Sequence, residues 1–66
     1  ANVTAQVIIK KAEPLLDVLS KNGLLVLSGI LQEYLAIVLD VLTGLNSIAF
    51  EQIVDGDWVT LLVKKA

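Results

Sequence analysis

A continuous apolar run from Leu24 to Leu27 places the strongest constraint on how this chain can fold. A strand with one solvent-facing side alternates apolar and polar residues, and this run does not alternate. We therefore predict a β-strand that is buried on both faces, as in a parallel sheet covered by helices. Such a strand needs neighbouring strands. Ser28-Gly29 is predicted to end it.

Helical periodicity flanks this strand on both sides. Apolar residues at three- and four-residue spacing predict a helix from Thr4 to Ser20, in which Pro14 produces a kink or starts a second segment. Lys21-Asn22-Gly23 is predicted to end that helix, with Asn-Gly supplying the left-handed conformation. A second helix is predicted from Ile30 to Thr43, ended by Gly44.

The last third of the chain predicts a β-hairpin. Two β-prone runs, Ile48 to Val54 and Asp57 to Val63, flank Asp55-Gly56, a pair that favours the two central positions of a type I′ turn. The complete order is helix, strand, helix, strand, strand, which indicates an α/β fold. Further parallel strands beside the first strand would come from another chain or from sequence not included here.

The composition is unusually apolar for a chain of 66 residues, at 56% hydrophobic with a mean hydropathy of +0.80. Three explanations are open: a piece of a larger protein, a subunit that buries its faces in an oligomer, or a membrane segment. Glu33 and Asp40 interrupt the apolar stretch from Leu24 to Phe50, which argues against a membrane span. The absence of Met predicts that these residues are not a complete translated product.

Several classes of function are excluded by residue types that are missing. Without Cys or His there is no thiol nucleophile, no imidazole base and no common zinc ligand, so we expect no metal site. The five basic residues, all Lys, are too sparse for a surface that tracks phosphates, so we expect no nucleic acid partner.

Three short motifs stand out along the chain. They are Ala1-Asn2-Val3-Thr4-Ala5 before a helix, the strand that runs into Ser28-Gly29-Ile30-Leu31, and Gly56-Asp57-Trp58-Val59 near the end. Together they resemble the C-terminal third of the bacterial ribosomal protein L11 methyltransferase family. Their order and spacing both fit the family pattern. The resemblance covers essentially the whole chain.

The resemblance implies a class I methyltransferase that depends on S-adenosylmethionine and has a Rossmann-like sheet. The last strand of that sheet is antiparallel and lies between the fifth and sixth strands. Residues 1–66 would then be a single partial domain, the C-terminal part of a methyltransferase domain. The glycine-rich cofactor loop of the family lies upstream, and no G-x-G motif occurs in this sequence. The chain alone is therefore expected to be inactive and not to bind the cofactor.

Two site residues follow from the resemblance. Asn2 would lie at the mouth of the site, as a catalytic and cofactor-binding residue whose amide can hydrogen-bond near the methyl group or the incoming lysine amine. Ser28, at the predicted end of the first strand, would face the cofactor. Read from the residues alone, Asn2 is a loop residue before a helix, and Ser28-Gly29 is a strand-to-helix turn.

The first functional hypothesis is thus the C-terminal part of a cytoplasmic protein-lysine methyltransferase whose substrate is ribosomal protein L11. In that case the chain packs on an N-terminal part that is missing here. The alternative is a non-catalytic α/β module that self-associates through its apolar faces and an open sheet edge. No membrane partner is expected in either case.

Overall fold

The computed structural model describes residues 3–66, which form two helices and a three-stranded sheet. Their order confirms the predicted α/β succession of helix, strand, helix, strand, strand. A single 3-10 turn, Gln32–Tyr34, precedes the second helix. The elements are α1 Val3–Val18, β1 Leu25–Leu31, α2 Leu35–Gly44, β2 Ser47–Asp55 and β3 Trp58–Lys65.

The last strand in the chain occupies the centre of the sheet. The strand order is β1-β3-β2, and β3 is antiparallel to both neighbours. β1 and β2, which α2 connects, are therefore parallel to each other but separated by β3. This arrangement confirms the expectation of an antiparallel final strand inserted between the two that precede it. Within residues 3–66, the outer edge of β1 has no strand beside it.

β1 is longer than predicted because it continues through Ser28-Gly29 to Leu31. Leu27 pairs with Leu61 and Ile30 with Val59, so two residues of β1 lie opposite one residue of β3. This β-bulge accommodates Gly29 at a φ of 77°, a conformation that glycine adopts without strain. The prediction that Ser28-Gly29 ends the strand, and that a helix begins at Ile30, is therefore wrong.

The helix ends also differ from the sequence prediction. α1 ends at Val18, and neither Asn22 nor Gly23 has a positive φ, so the predicted left-handed cap is absent there. Pro14 lies inside α1 without dividing it into two elements. α2 ends at Gly44 as predicted, but the left-handed residue after it is Asn46, at a φ of 59°.

The core lies between one face of the sheet and the two helices. On β3 the side chains of Val59, Leu61 and Val63 are buried, and α1 and α2 pack over them. The prediction that the first strand is buried on both faces is wrong for these residues, because Leu24 and Val26 remain 53% and 54% exposed. We call this second surface the open face of the sheet. Ile48, Ile53 and Trp58 lie on the same face and are also about half exposed.

The hairpin between β2 and β3 forms as predicted, with its turn shifted by one residue. Asp55 pairs with Trp58, so the two central residues are Gly56 and Asp57. Gly56 has a φ of 60° and Asp57 does not have a positive φ. Glycine at the first central position is the pattern of a type II′ turn, which suits the right-handed twist of the strands as well as the predicted type I′ turn does.

Neither helix of the described part combines the length and the hydrophobicity that crossing a bilayer requires.

Candidate functional site at the carboxyl edge of the sheet

The carboxyl ends of β1 and β2 meet at one edge of the sheet. Both strands run toward this edge, and Trp58 at the start of β3 pairs with Leu31 on one side and with Asp55 on the other. We call this the carboxyl edge. Ligands of open α/β sheets bind beyond the carboxyl ends of the strands, so this edge is where the fold favours a site.

Gln32 joins the end of β1 to the hairpin turn. Its backbone N–H donates to the carbonyl oxygen of Asp57 at 2.8 Å, and its side-chain Nε2 donates to the carbonyl oxygen of Gly56 at 2.7 Å. Both distances are short for N–H···O bonds. One residue therefore holds two segments together that lie 24 positions apart in the chain.

A depression of about 340 Å³ lies beside this link. It combines one apolar side chain, one amide and two carboxylates, from Leu31, Gln32, Glu33 and Asp57. The last three side chains are exposed, so the depression opens to solvent. It presents hydrogen-bonding groups and negative charge at the carboxyl edge.

A second depression of about 240 Å³ lies where β1 begins, at the opposite edge of the sheet. Here Lys64 places its Nζ over the ring of Phe50, 5.5 Å from the centroid. The charge at this edge is positive, opposite in sign to that of the carboxyl edge. The depression is lined by Lys21, Asn22, Gly23, Leu24, Phe50 and Lys64.

The two site residues predicted from the sequence have different outcomes. Asn2 lies outside the described residues, immediately before the first residue of α1. Ser28 lies within β1 at the bulge and is exposed, whereas the carboxyl end of that strand is Leu31. The position expected for Ser28, at the end of its strand, is therefore wrong.

Three residues at the carboxyl edge were not singled out from the sequence as site residues: Gln32, Glu33 and Asp57. A usable signal was present, because Gln32-Glu33 is the first polar pair after the apolar strand. The predicted helix from Ile30 includes this pair and therefore hides it. The predicted last strand includes Asp57, which the structure places in the turn.

Comparison with known proteins identifies the family. The sequence profile described as "Ribosomal protein L11 methyltransferase (PrmA)" matches residues 1–66. The chain belongs to the ribosomal protein L11 methyltransferase family. The resemblance drawn from the three motifs is thereby confirmed, and the family favours the methyltransferase hypothesis over the self-associating module.

Two relatives show how much of an L11 methyltransferase this chain represents. It is 31% identical over 65 residues to the ribosomal protein L11 methyltransferase of Enterococcus faecalis (strain ATCC 700802 / V583), covering 98% of this chain and 21% of that protein. It also matches the crystal structure of a ribosomal protein L11 methylase from Lactobacillus delbrueckii subsp. bulgaricus. That match has a TM-score of 0.83 at 23% identity and covers 94% of this chain and 33% of the other.

The chain therefore spans about a fifth of the length of the curated L11 methyltransferase and a third of the solved one. The structural likeness shows that most of this chain has the fold of part of that methylase. This partial coverage fits the predicted C-terminal portion of a methyltransferase domain.

Proposed function

We propose that this chain is the C-terminal portion of a methyltransferase that transfers a methyl group from S-adenosylmethionine to a lysine of ribosomal protein L11. One observation supports it above the others. The family profile spans all 66 residues, and the same residues build a sheet in which antiparallel β3 separates two parallel strands. The proposal places the protein in the cytoplasm, where ribosomal proteins are made.

We expect that the described residues do not by themselves form a site for S-adenosylmethionine. That molecule carries an adenosine, a sulfonium and an amino acid group, and at the carboxyl edge this chain offers one open depression lined by four residues. The sequence has no G-x-G turn. We infer that this chain supplies β1, β2 and β3 of the sheet and one wall of the site at the carboxyl edge.

Asn2 is the residue that we propose to act nearest the reaction. α1 packs against β1, and the short connection from Val18 to Leu25 joins the end of α1 to the start of β1. We therefore expect the beginning of α1 to lie toward the carboxyl edge. The amide oxygen of Asn2 could then accept a hydrogen bond from the lysine amine that receives the methyl group, and so orient that amine. We also propose that Ser28 contacts the cofactor from its position at the bulge of β1.

A chimera tests the proposed function. The 66 residues would replace the matching segment of the Enterococcus faecalis relative, and transfer of labelled methyl from S-adenosylmethionine to purified ribosomal protein L11 would be measured. We expect activity within about tenfold of that relative, since core substitutions that conserve volume and pattern are well tolerated. The isolated 66-residue chain should show no heat of S-adenosylmethionine binding in calorimetry.

Two variants of the chimera make this test specific. Asn2→Ala should lower kcat by about tenfold or more, because it removes a hydrogen bond to the reacting group. Gln6→Ala, an exposed change on α1, is the matched control and should leave kcat unchanged. A folded chimera that binds S-adenosylmethionine but transfers no methyl group to ribosomal protein L11 would contradict the proposed substrate.

A further inference from the structure

Gln32 is notable because an exposed, flexible side chain makes a short hydrogen bond to a distant backbone group. Within residues 3–66, Gln32 donates one hydrogen bond to Gly56 and one to Asp57, in addition to the bonds of the ladder between β2 and β3. Both turn residues are exposed, and a Cβ at Gly56 would meet nothing within 4 Å. Side-chain packing therefore contributes little to holding the turn in place, and the two hydrogen bonds from Gln32 contribute more.

We propose that Gln32 is a positioning residue that fixes the hairpin turn at the carboxyl edge, so that the turn forms one wall of the site for the acceptor protein. This inference rests on the proposed function. The turn borders the depression that Leu31 and Asp57 line, at the edge where open α/β sheets bind ligands. A wall that is held before the acceptor arrives lowers the entropy cost of binding it.

Gln32 should affect binding of the acceptor protein and not binding of the cofactor. Gln32 follows the end of β1 and the turn joins β2 to β3, whereas this chain contains no G-x-G turn for the cofactor. Loosening the turn should therefore weaken binding of the acceptor protein and leave binding of S-adenosylmethionine unchanged. A residue that acts only on global stability would not produce that difference.

The test uses the active chimera and compares Gln32→Met with Gln52→Met. Methionine is similar in length to glutamine but cannot donate to the carbonyl oxygen of Gly56, and Gln52 is an exposed glutamine on β2 of the same hairpin. In Gln32→Met we expect KM for ribosomal protein L11 to rise about three- to tenfold, the range that one net hydrogen bond gives. The Kd for S-adenosylmethionine and kcat should stay within about twofold of the parent.

Rescue and hydrogen exchange complete the design. Gln32→Lys restores a donor, so its KM for ribosomal protein L11 should return to within about threefold of the parent. Hydrogen exchange in the 55–58 segment should be faster in Gln32→Met than in Gln52→Met.

The outcomes distinguish this inference from the proposed function. If the parent chimera methylates ribosomal protein L11 but Gln32→Met has the same acceptor KM as Gln52→Met, the inference is overturned and the proposed function stands. The same holds if acceptor KM, kcat and cofactor Kd all change by one common factor. If the parent chimera transfers no methyl group, the proposed function fails and the inference falls with it.

Discussion

The hydroxyl of Ser47 donates a hydrogen bond of 2.7 Å to the carbonyl oxygen of Leu42, so the first residue of β2 closes the last turn of α2. Ser47 is buried, at 8% exposure, and Leu42 belongs to the core. Carbonyl groups in the last turn of a helix lack partners within the helix, and side chains often supply them. This bond fixes the angle at which the chain leaves the helix and enters the sheet.

Ser47→Ala should lower the free energy of unfolding by about 0.5–1 kcal/mol, the low end for a buried hydrogen bond. The loss is limited because the carbonyl oxygen of Leu42 still accepts from the N–H of Leu45 at 3.1 Å. Urea denaturation followed by circular dichroism measures it. Ser20→Ala, at an exposed position, is the control and should change stability by less than about 0.5 kcal/mol. Equal losses in both variants would show that the Ser47 bond contributes nothing.

Two glycine-to-alanine changes should have opposite signs. Gly56→Ala should destabilise the chain by about 1–2 kcal/mol, because its φ of 60° is strained for any residue with a Cβ although the space around it is open. Gly44→Ala should stabilise by about 0.5–1 kcal/mol, since this position ends α2 without a positive φ and also has open space. Thermal denaturation of both variants measures these changes in stability. A loss of stability in Gly44→Ala would contradict the assignment of Gly44 to the end of α2.

Neighbouring leucines of β3 test the one-sided core. Leu61 is fully buried under the helices, whereas Leu62 faces the open side and is only partly buried. Leu61→Ala should cost about 2–5 kcal/mol and Leu62→Ala clearly less, because the second change leaves no enclosed cavity. Chemical denaturation compares them. Similar losses at both positions would mean that the open face is covered in solution.

The contact between Lys64 and Phe50 gives a smaller prediction. Phe50 is the extra residue of the bulge in β2, since Ala49 pairs with Val63 and Glu51 with Leu62. Lys64→Gln should lower stability by about 0.5–1 kcal/mol through loss of the cation–π contact, and Lys64→Arg should retain it. Lys10→Gln, an exposed change on α1, controls for the loss of one charge. An equal effect at Lys10 and Lys64 would rule out a specific contact.

The elements that local chemistry determines were predictable from the sequence. Asp55-Gly56 between two β-prone runs indicated the hairpin, and only the position of the turn moved by one residue, because glycine fits either central position of a two-residue turn. The prediction that β3 lies between β1 and β2 came from the family resemblance. Local patterns carry no information about which strand lies in the middle of a sheet.

Other features depended on contacts that local patterns do not show. Ile30 and Leu31 are as compatible with an apolar helix face as with a strand, and the bulge at Gly29 keeps them in β1. The exposure of Leu24 and Val26 follows from both helices packing on one face. At the candidate site, the link from Gln32 to Gly56 joins residues 24 apart, which no spacing rule predicts.

The central place of β3 has a consequence for the order in which the sheet can form during synthesis. Within the described part, β1 and β2 bond only to β3, so no two of these three strands can pair until residues 58–65 have left the ribosome. The hairpin can then close first because its strands are adjacent in the chain, and β1 joins β3 afterwards. A chain that stops before Trp58 would therefore leave β2 without its partner strand, a form prone to aggregate.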